Sequence, residues 1–183
     1  MIKIENLGQI ADAPESIITI GSFDGVHLGH QKILERTLKE AANSGLASVV
    51  LTFKTPTKSL FHNNNIYSKK ILTAAQKADL LGKFGFDYLI NIEFDEHFKE
   101  LSAVDFINNI LIKKLNVKKI VAGYDFRFGK DKAGDYNMLE NYFKENLIHI
   151  EPLIVEDKIV SSTLIKQYLV DNKISIANKL LGY

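Results

Sequence analysis

Apolar residues in this chain follow two periods, and the two alternate along its length. Ser16-Ile-Ile-Thr-Ile20 is a short apolar run, the pattern of a buried strand. Ser48-Val-Val-Leu-Thr-Phe53, Tyr88-Leu-Ile-Asn-Ile92 and Lys119-Ile-Val-Ala-Gly123 repeat it, and a further strand is expected around residues 149 to 155. Between these runs the period lengthens to that of a helix. From His30 to Ser44, one face carries Ile33, Leu34, Thr37, Leu38 and Ala41, and Gly45 is placed to cap the carboxyl end. Thr73-Ala-Ala-Gln76 is a capping box for a helix reaching about Phe84. Ser102-Ala-Val-Asp105 opens the next in a similar way, with Phe106, Ile107, Ile110 and Leu111 facing inward. Further helices are expected around residues 138 to 144, from a cap at Ser161 or Ser162 through Val170, and from a cap at Ser175. Residues 54 to 68 show no clear period and residues 124 to 135 are glycine-rich and polar, so both read as loops. Asp157-Lys158 suits a turn.

Alternating strands and helices predict an α/β fold: a Rossmann-like, mostly parallel sheet with helices on both faces. In such sheets ligands bind beyond the carboxyl ends of the strands, near the point where the strand order reverses. That rule singles out the loops after Ile20, Phe53, Gly123 and Val155. The 183 residues suit a single domain and contain no internal repeat. A net charge of +1 argues against broad nucleic-acid binding, so no nucleic-acid partner is expected. The absence of cysteine excludes disulfides, thiolate zinc sites and cysteine nucleophiles. No apolar run approaches the roughly 18 residues of a membrane span. The amino terminus lacks a basic-then-apolar signal pattern. A cytoplasmic protein without a membrane partner is expected; oligomeric state is not legible.

Three stretches carry chemistry. In Gly21-Ser22-Phe23-Asp24-Gly25-Val26-His27-Leu28-Gly29-His30, three glycines let the backbone turn sharply and approach a ligand. The loop runs into a helix whose free N–H groups favour phosphate. His27 and His30, three apart, point to the same side there. Two other readings stand beside phosphate binding: turns with surface histidines, or half of a zinc site with no third ligand in view. In Val160-Ser161-Ser162-Thr163-Leu164-Ile165-Lys166, a hydroxyl-rich cap offers O–H and N–H groups together, with Lys166 in reach of an anion. Alone, this is also an ordinary helix cap. In Gly123-Tyr-Asp-Phe-Arg-Phe-Gly129, Asp125 and Arg127 interleave with Tyr124, Phe126 and Phe128, a set able to stack a planar ring and meet a charge. The alternative is a small satellite core under the loop. Phe53 and Pro56 sit at the expected ligand edge, while His62, His97 and His149 read as structural or exposed.

At Gly21 to His30 the sequence resembles the nucleotidyltransferase family. More narrowly, it resembles the FAD synthetase (FMN adenylyltransferase) module of bacterial bifunctional riboflavin kinase/FAD synthetases. The narrower likeness rests on Phe23-Asp-Gly-Val26, Gly123 to Gly129 with Gly134-Asp135, Ser161-Ser162-Thr163 with Ile165, Thr73 with Lys77, and Ala177 to Gly182. The resemblance implies a nucleotidyltransferase fold with a small flavin-side subdomain. It implies Mg²⁺-dependent transfer of AMP from ATP to FMN, with FMN and ATP as substrates. His27, His30 and Lys166 would act on the phosphates. Gly21, Ser22, Phe23, Asp24, Gly25, Gly29, Ser161, Ser162 and Thr163 would bind ATP; Phe53, Pro56, Asp125, Phe126, Arg127 and Phe128 would lie towards the flavin. No protein metal site is expected.

Three departures from the family pattern stand out. Phe53-Lys54-Thr55-Pro56-Thr57 replaces Phe-x-Pro-His-Pro. Leu164 and Lys166 replace two arginines in a chain whose only arginines are Arg36 and Arg127. The chain also ends where the kinase domain should begin, so kinase activity is not expected. The alternatives to an active FMN adenylyltransferase are a non-catalytic flavin or nucleotide-binding module and a nucleotidyltransferase with another acceptor.

Overall fold

The computed structural model describes residues 1–54 and 69–183, and Pro56 lies outside them. Six strands form one sheet: β1 (Ile2–Ile4), β2 (Ser16–Ile20), β3 (Ala47–Phe53), β4 (Tyr88–Ile92), β5 (Val117–Gly123) and β6 (Leu147–Ile150). Their order is β1-β4-β3-β2-β5-β6, and every pairing is parallel. The helices are α1 (Leu28–Ser44), α2 (Ala74–Gly82), α3 (Glu96–Lys99), α4 (Ala103–Asp105), α5 (Tyr136–Phe143), α6 (Ser162–Val170) and α7 (Ile174–Leu181). α4 continues as a π-helical stretch, Phe106–Lys114, closed by Leu115 N–H donating to the Ile110 carbonyl. A small hairpin, β7 (Ile154–Val155) and β8 (Lys158–Ile159), stands apart from the main sheet.

The strands are apolar at consecutive positions because both sheet faces are covered. Ile18, Ile20, Val49, Leu51, Ile90 and Ile120 pack with Ile107, Leu111, Leu139 and Phe143 on one face. On the other, Val50 and Leu89 pack with Leu34 and Leu81, and Ile17 and Val121 pack with Ala41. Val160 and Ile165 form a separate cluster with Ala177, Leu180 and Leu181.

Local signals account for most boundaries. Gly45 caps α1 at φ 68°, Thr73 and Gln76 form the reciprocal box at α2, and Ser102 accepts from Asp105 N–H. Three expectations need correction. The strand expected over residues 149 to 155 is two elements: β6 ends at Ile150, and Ile154–Val155 turns back onto β8. Glu156 and Asp157 both take positive φ, 49° and 59°, as a tight hairpin requires. The loop at the sheet edge is therefore residues 151 to 153, not the one after Val155. Ser175 lies inside α7, which starts at Ile174 without a side-chain cap. β1 was not anticipated, since three residues on a sheet edge are too few to display a period.

The chain winds outward from β2 to β3 and β4, then restarts beside β2 with β5 and β6. The order reverses between β2 and β5, so the loops after Ile20 and Gly123 diverge from adjacent strand ends and open a crevice.

The second of these loops is anchored where only glycine fits. Gly129 adopts φ 72°, ψ 174°, a region essentially closed to other residues, and a Cβ there would lie 2.6 Å from the Ala103 backbone. Gly129→Ala is expected to destabilise the fold by about 2 kcal/mol or more. Urea unfolding midpoints of the two proteins check it; equal midpoints would show that the loop relaxes without cost.

Candidate active site

The loop after β2 begins inside the sheet, with Gly21 N–H donating to the Leu51 carbonyl at 3.1 Å, and then turns through positive φ at Phe23 (46°), Gly25 (83°) and Val26 (38°). For β-branched Val26 this is strained backbone, held by full burial and by Gln31 Nε2 donating to its carbonyl at 2.9 Å. His27 caps α1, its Nδ1 accepting from His30 N–H at 3.3 Å. That bond needs an unprotonated Nδ1, and burial pushes the His27 pKa down to about 4 against a weaker opposing pull from Asp24. His27 is therefore a neutral hydrogen-bond donor through Nε2 near pH 7. The three-residue spacing does bring the rings together: they stack at 3.6 Å, and Phe23 meets His30 edge-on at 5.2 Å.

Asp24 joins this loop to two other segments. Its Oδ1 accepts from Ile71 N–H at 3.0 Å, its Oδ2 meets Lys166 Nζ at 2.7 Å, and its carbonyl accepts from Ser162 Oγ at 2.8 Å. Both members of the ion pair are buried, so each neutralises a charge that would otherwise be stranded. Lys166 thus comes to the site already engaged with a carboxylate. Ser161 Oγ accepts from Leu164 N–H as the cap of α6. Ser162 Oγ spends its proton on Asp24, whereas Ser161 Oγ accepts in the cap and can still donate, so this end offers a ligand that hydroxyl and the first N–H groups of the helix.

The wall below the glycine loop carries a buried lysine that the sequence reading did not place in the site. Lys77 Nζ donates to the Ser22 carbonyl (2.8 Å), Thr52 Oγ1 (3.1 Å) and the Phe53 carbonyl (2.6 Å). Burial holds its pKa down at about 8, with Asp24 pulling it up and Lys70 pushing it down. One sequence signal was available: a lysine four residues before Leu81 occupies the apolar face of α2.

The opposite end of the crevice is aromatic. Phe53 packs against Phe94 and Phe98, Phe98 against Phe106, Phe106 against Phe128, and Phe128 stacks on Phe126 at 5.6 Å and 20°. Phe128 is a member of the main core, with Phe126 packed against it, so the loop has no satellite core of its own among the described residues, and both rings still line the cleft. Phe94 and Phe98 come from a segment that the sequence reading left without a role. Arg127 and Asp125 are exposed on the rim.

All these surfaces line one cleft of about 800 Å³. It collects every described residue that the sequence assigned to a site except Gly25, which sits behind the wall where a Cβ would lie 2.9 Å from Ile71. His97 and His149 lie outside it; His149 contacts Glu151 and the Tyr136 ring. His62 falls outside the described residues. Among the described residues no group of three or more His, Cys, Asp or Glu could hold a metal ion, and no helix is long and apolar enough to cross a membrane.

The model of the FAD synthetase family matches residues 9–164. The chain is 40% identical to a bifunctional riboflavin kinase/FMN adenylyltransferase of Buchnera aphidicola, over 98% of this chain and 58% of that protein. It is 31% identical to the Escherichia coli protein of the same description, over 100% of this chain and 60% of that one. The chain therefore spans about three-fifths of the length of these relatives. Among solved structures, a Streptococcus pneumoniae protein described as a macrolide-efflux protein superposes with a TM-score of 0.86 at 35% identity, covering 99% of this chain and 59% of its own. Pantothenate synthetase from Thermus thermophilus shares the fold, with a TM-score of 0.59 at 15% identity, covering 97% of this chain and 71% of its own.

The neutrality of His27 has a consequence for stability. Its pKa is about 4 in the fold against an ordinary 6.5, so the unfolded chain binds the extra proton first. Its contribution is complete above pH 6.5 and is lost as pH falls towards 4. Between about pH 7.5 and about pH 5 the loss is on the order of 2 kcal/mol. His27→Asn retains an oxygen for the cap but cannot titrate. Its stability, read from urea midpoints, is expected to depend on pH less steeply than that of the wild type; parallel curves would refute the assignment.

Proposed function

This chain belongs to the FAD synthetase family, and we propose that it transfers AMP from ATP to FMN, forming FAD and releasing pyrophosphate. The observation that carries this reading is a single cleft with two unlike ends. One end has two helix N-termini with His27 and His30 beside them; the other is a box of phenylalanines. A triphosphate suits the first and a planar isoalloxazine the second.

An FMN phosphate oxygen attacks the α-phosphorus of ATP in line. The bond from that phosphorus to the oxygen bridging to the β-phosphate breaks, and pyrophosphate leaves with the electron pair. FMN phosphate is already ionised near neutral pH, so no general base is needed; positioning and charge stabilisation carry the reaction. Two unit charges about 4 Å apart repel by ~1 kcal/mol in water and ~4 kcal/mol at an effective dielectric near 20. A helix N-terminus returns only ~0.3–1 kcal/mol. Mg²⁺ therefore enters with ATP as part of the substrate, and among the described residues no carboxylate cluster competes for it.

In this reading His30, the neutral Nε2–H of His27, and the first N–H groups of α1 and α6 hold the triphosphate. Gly21, Ser22, Phe23 and Gly29 line its bed, Gly25 lets the loop turn, and Asp24 with Lys166 and Ser162 keeps that loop against α6. Ser161 and Thr163 close the same end. Phe53, Phe126 and Phe128 stack the flavin, and Asp125 and Arg127 meet its polar side. The reaction takes place in the cytoplasm.

The test is chromatography of FAD and pyrophosphate after incubating the protein with FMN, ATP and Mg²⁺. Riboflavin, which lacks the attacking phosphate, is the control. FAD is expected from FMN alone, and His30→Ala is expected to slow its formation roughly tenfold or more with the fold retained. Near-normal turnover in that variant would remove His30 from the chemistry. The capture of Lys166 by Asp24 favours one second reading, a module that binds flavin and nucleotide without turnover. Binding of both ligands with no FAD from the wild type would establish it.

A further inference from the structure

Lys77 lies behind the cleft wall, does not line the cleft, and yet is bound to both halves of it. An ammonium has three protons and no acceptor. Here all three protons are matched: the Ser22 carbonyl belongs to the loop after β2, while Thr52 Oγ1 and the Phe53 carbonyl end β3. Thr52 Oγ1, which accepts from Lys77, itself donates to the Ser22 carbonyl at 3.2 Å and closes the triangle. Lys77 is also held along its length, because it sits on α2 behind the capping box at Thr73 and next to the core residue Leu81.

The two segments so joined have different tasks. Ser22 and Phe23 open the loop that runs to the histidine end, and Phe53 is the first ring of the aromatic end. The Ser22–Phe23 peptide is trans, so pulling its carbonyl back towards Lys77 sends the Phe23 N–H the opposite way. That N–H has no acceptor among the described residues. The conformation is not self-sustaining, since Phe23 is held at φ 46°. A buried lysine costs desolvation, as its lowered pKa reports, and a hydrophobic residue would cover the same helix face without that cost.

We propose that Lys77 is a positioning residue that sets the spacing between the phosphate-binding loop and the aromatic flavin wall, so that both ligands can occupy the cleft together in reacting register. The inference rests on the transfer reading for the identity of the ligands, but not on turnover for its test. It requires that each ligand alone still binds when the anchor is altered, because each half-site keeps its own residues. What fails is simultaneous occupation, for which a displacement of about 1 Å is costly.

Two variants test this. Lys77→Met removes the ammonium at nearly constant volume. Lys77→Arg keeps a charge and donors but moves the head group. Calorimetry would measure FMN alone, the non-reacting α,β-methylene analogue of ATP with Mg²⁺ alone, and the analogue added to FMN-saturated protein. Both variants are expected to bind each ligand alone within about threefold of wild type, and to bind the analogue about tenfold or more weakly once FMN is present, with a matching fall in kcat. Wild-type ternary affinity in Lys77→Arg would overturn the proposal, even if Lys77→Met failed to fold, since it would reduce Lys77 to a structural anchor. Parallel weakening of the separate bindings would overturn it as well. A wild type that binds both ligands but makes no FAD would sink the transfer reading alone, because the ternary affinities would still decide the role of Lys77.

Discussion

A single buried carboxylate holds the histidine end of this cleft together. Asp24 engages Ile71 N–H ahead of α2 and Lys166 on α6, and its own backbone carbonyl takes the Ser162 hydroxyl. The glycine loop contains two non-glycine residues at positive φ, a conformation it would not keep unaided. The ion pair turns that liability into a fixed shape. Removing either partner would leave the other charge buried and alone, which typically costs ~3–5 kcal/mol. The pair therefore specifies the loop more than it adds net stability.

The same economy runs through the rest of the site. Most polar groups around the glycine loop are committed to protein partners before a ligand arrives. His27 caps its own helix, Ser161 caps α6, and Lys77 spends its three protons on acceptors behind the wall. The groups left over include backbone N–H groups at helix starts, which cannot rotate away. A cleft whose donors are already in place spends little on reorganisation when a ligand arrives. Its cost appears as strain at Phe23 and Val26 and as two buried lysines.

Much of the fold was legible because local signals agreed with global ones. The boundaries of β2, β4 and α6 follow directly from apolar runs and from the Ser161 cap. Where they diverged, tertiary pairing won. Residues 149 to 155 read as one strand, but pairing with β5 stops at Ile150, and the two positive-φ residues after Val155 fold the remainder into its own hairpin. Ser175 looks like a cap, yet α7 is held by its packing against α6 through Ala177, Leu180 and Leu181 and begins one residue earlier.

The sequence by itself determined the α/β layering, the glycine loop entering a helix, the facing histidines and the family to which the chain belongs. These are written in short-range spacing: an unbroken apolar run, a period of 3.6, a three-residue offset, a cap before a helix. Only the tertiary structure decided charge state and partnership. That His27 is neutral, that Lys166 belongs to Asp24, that Phe94 and Phe98 complete the aromatic end, and that Lys77 ties the two walls together all depend on burial and on contacts between distant segments. Desolvation and pairing are properties of a place in three dimensions, and a residue's neighbours along the chain do not reveal them.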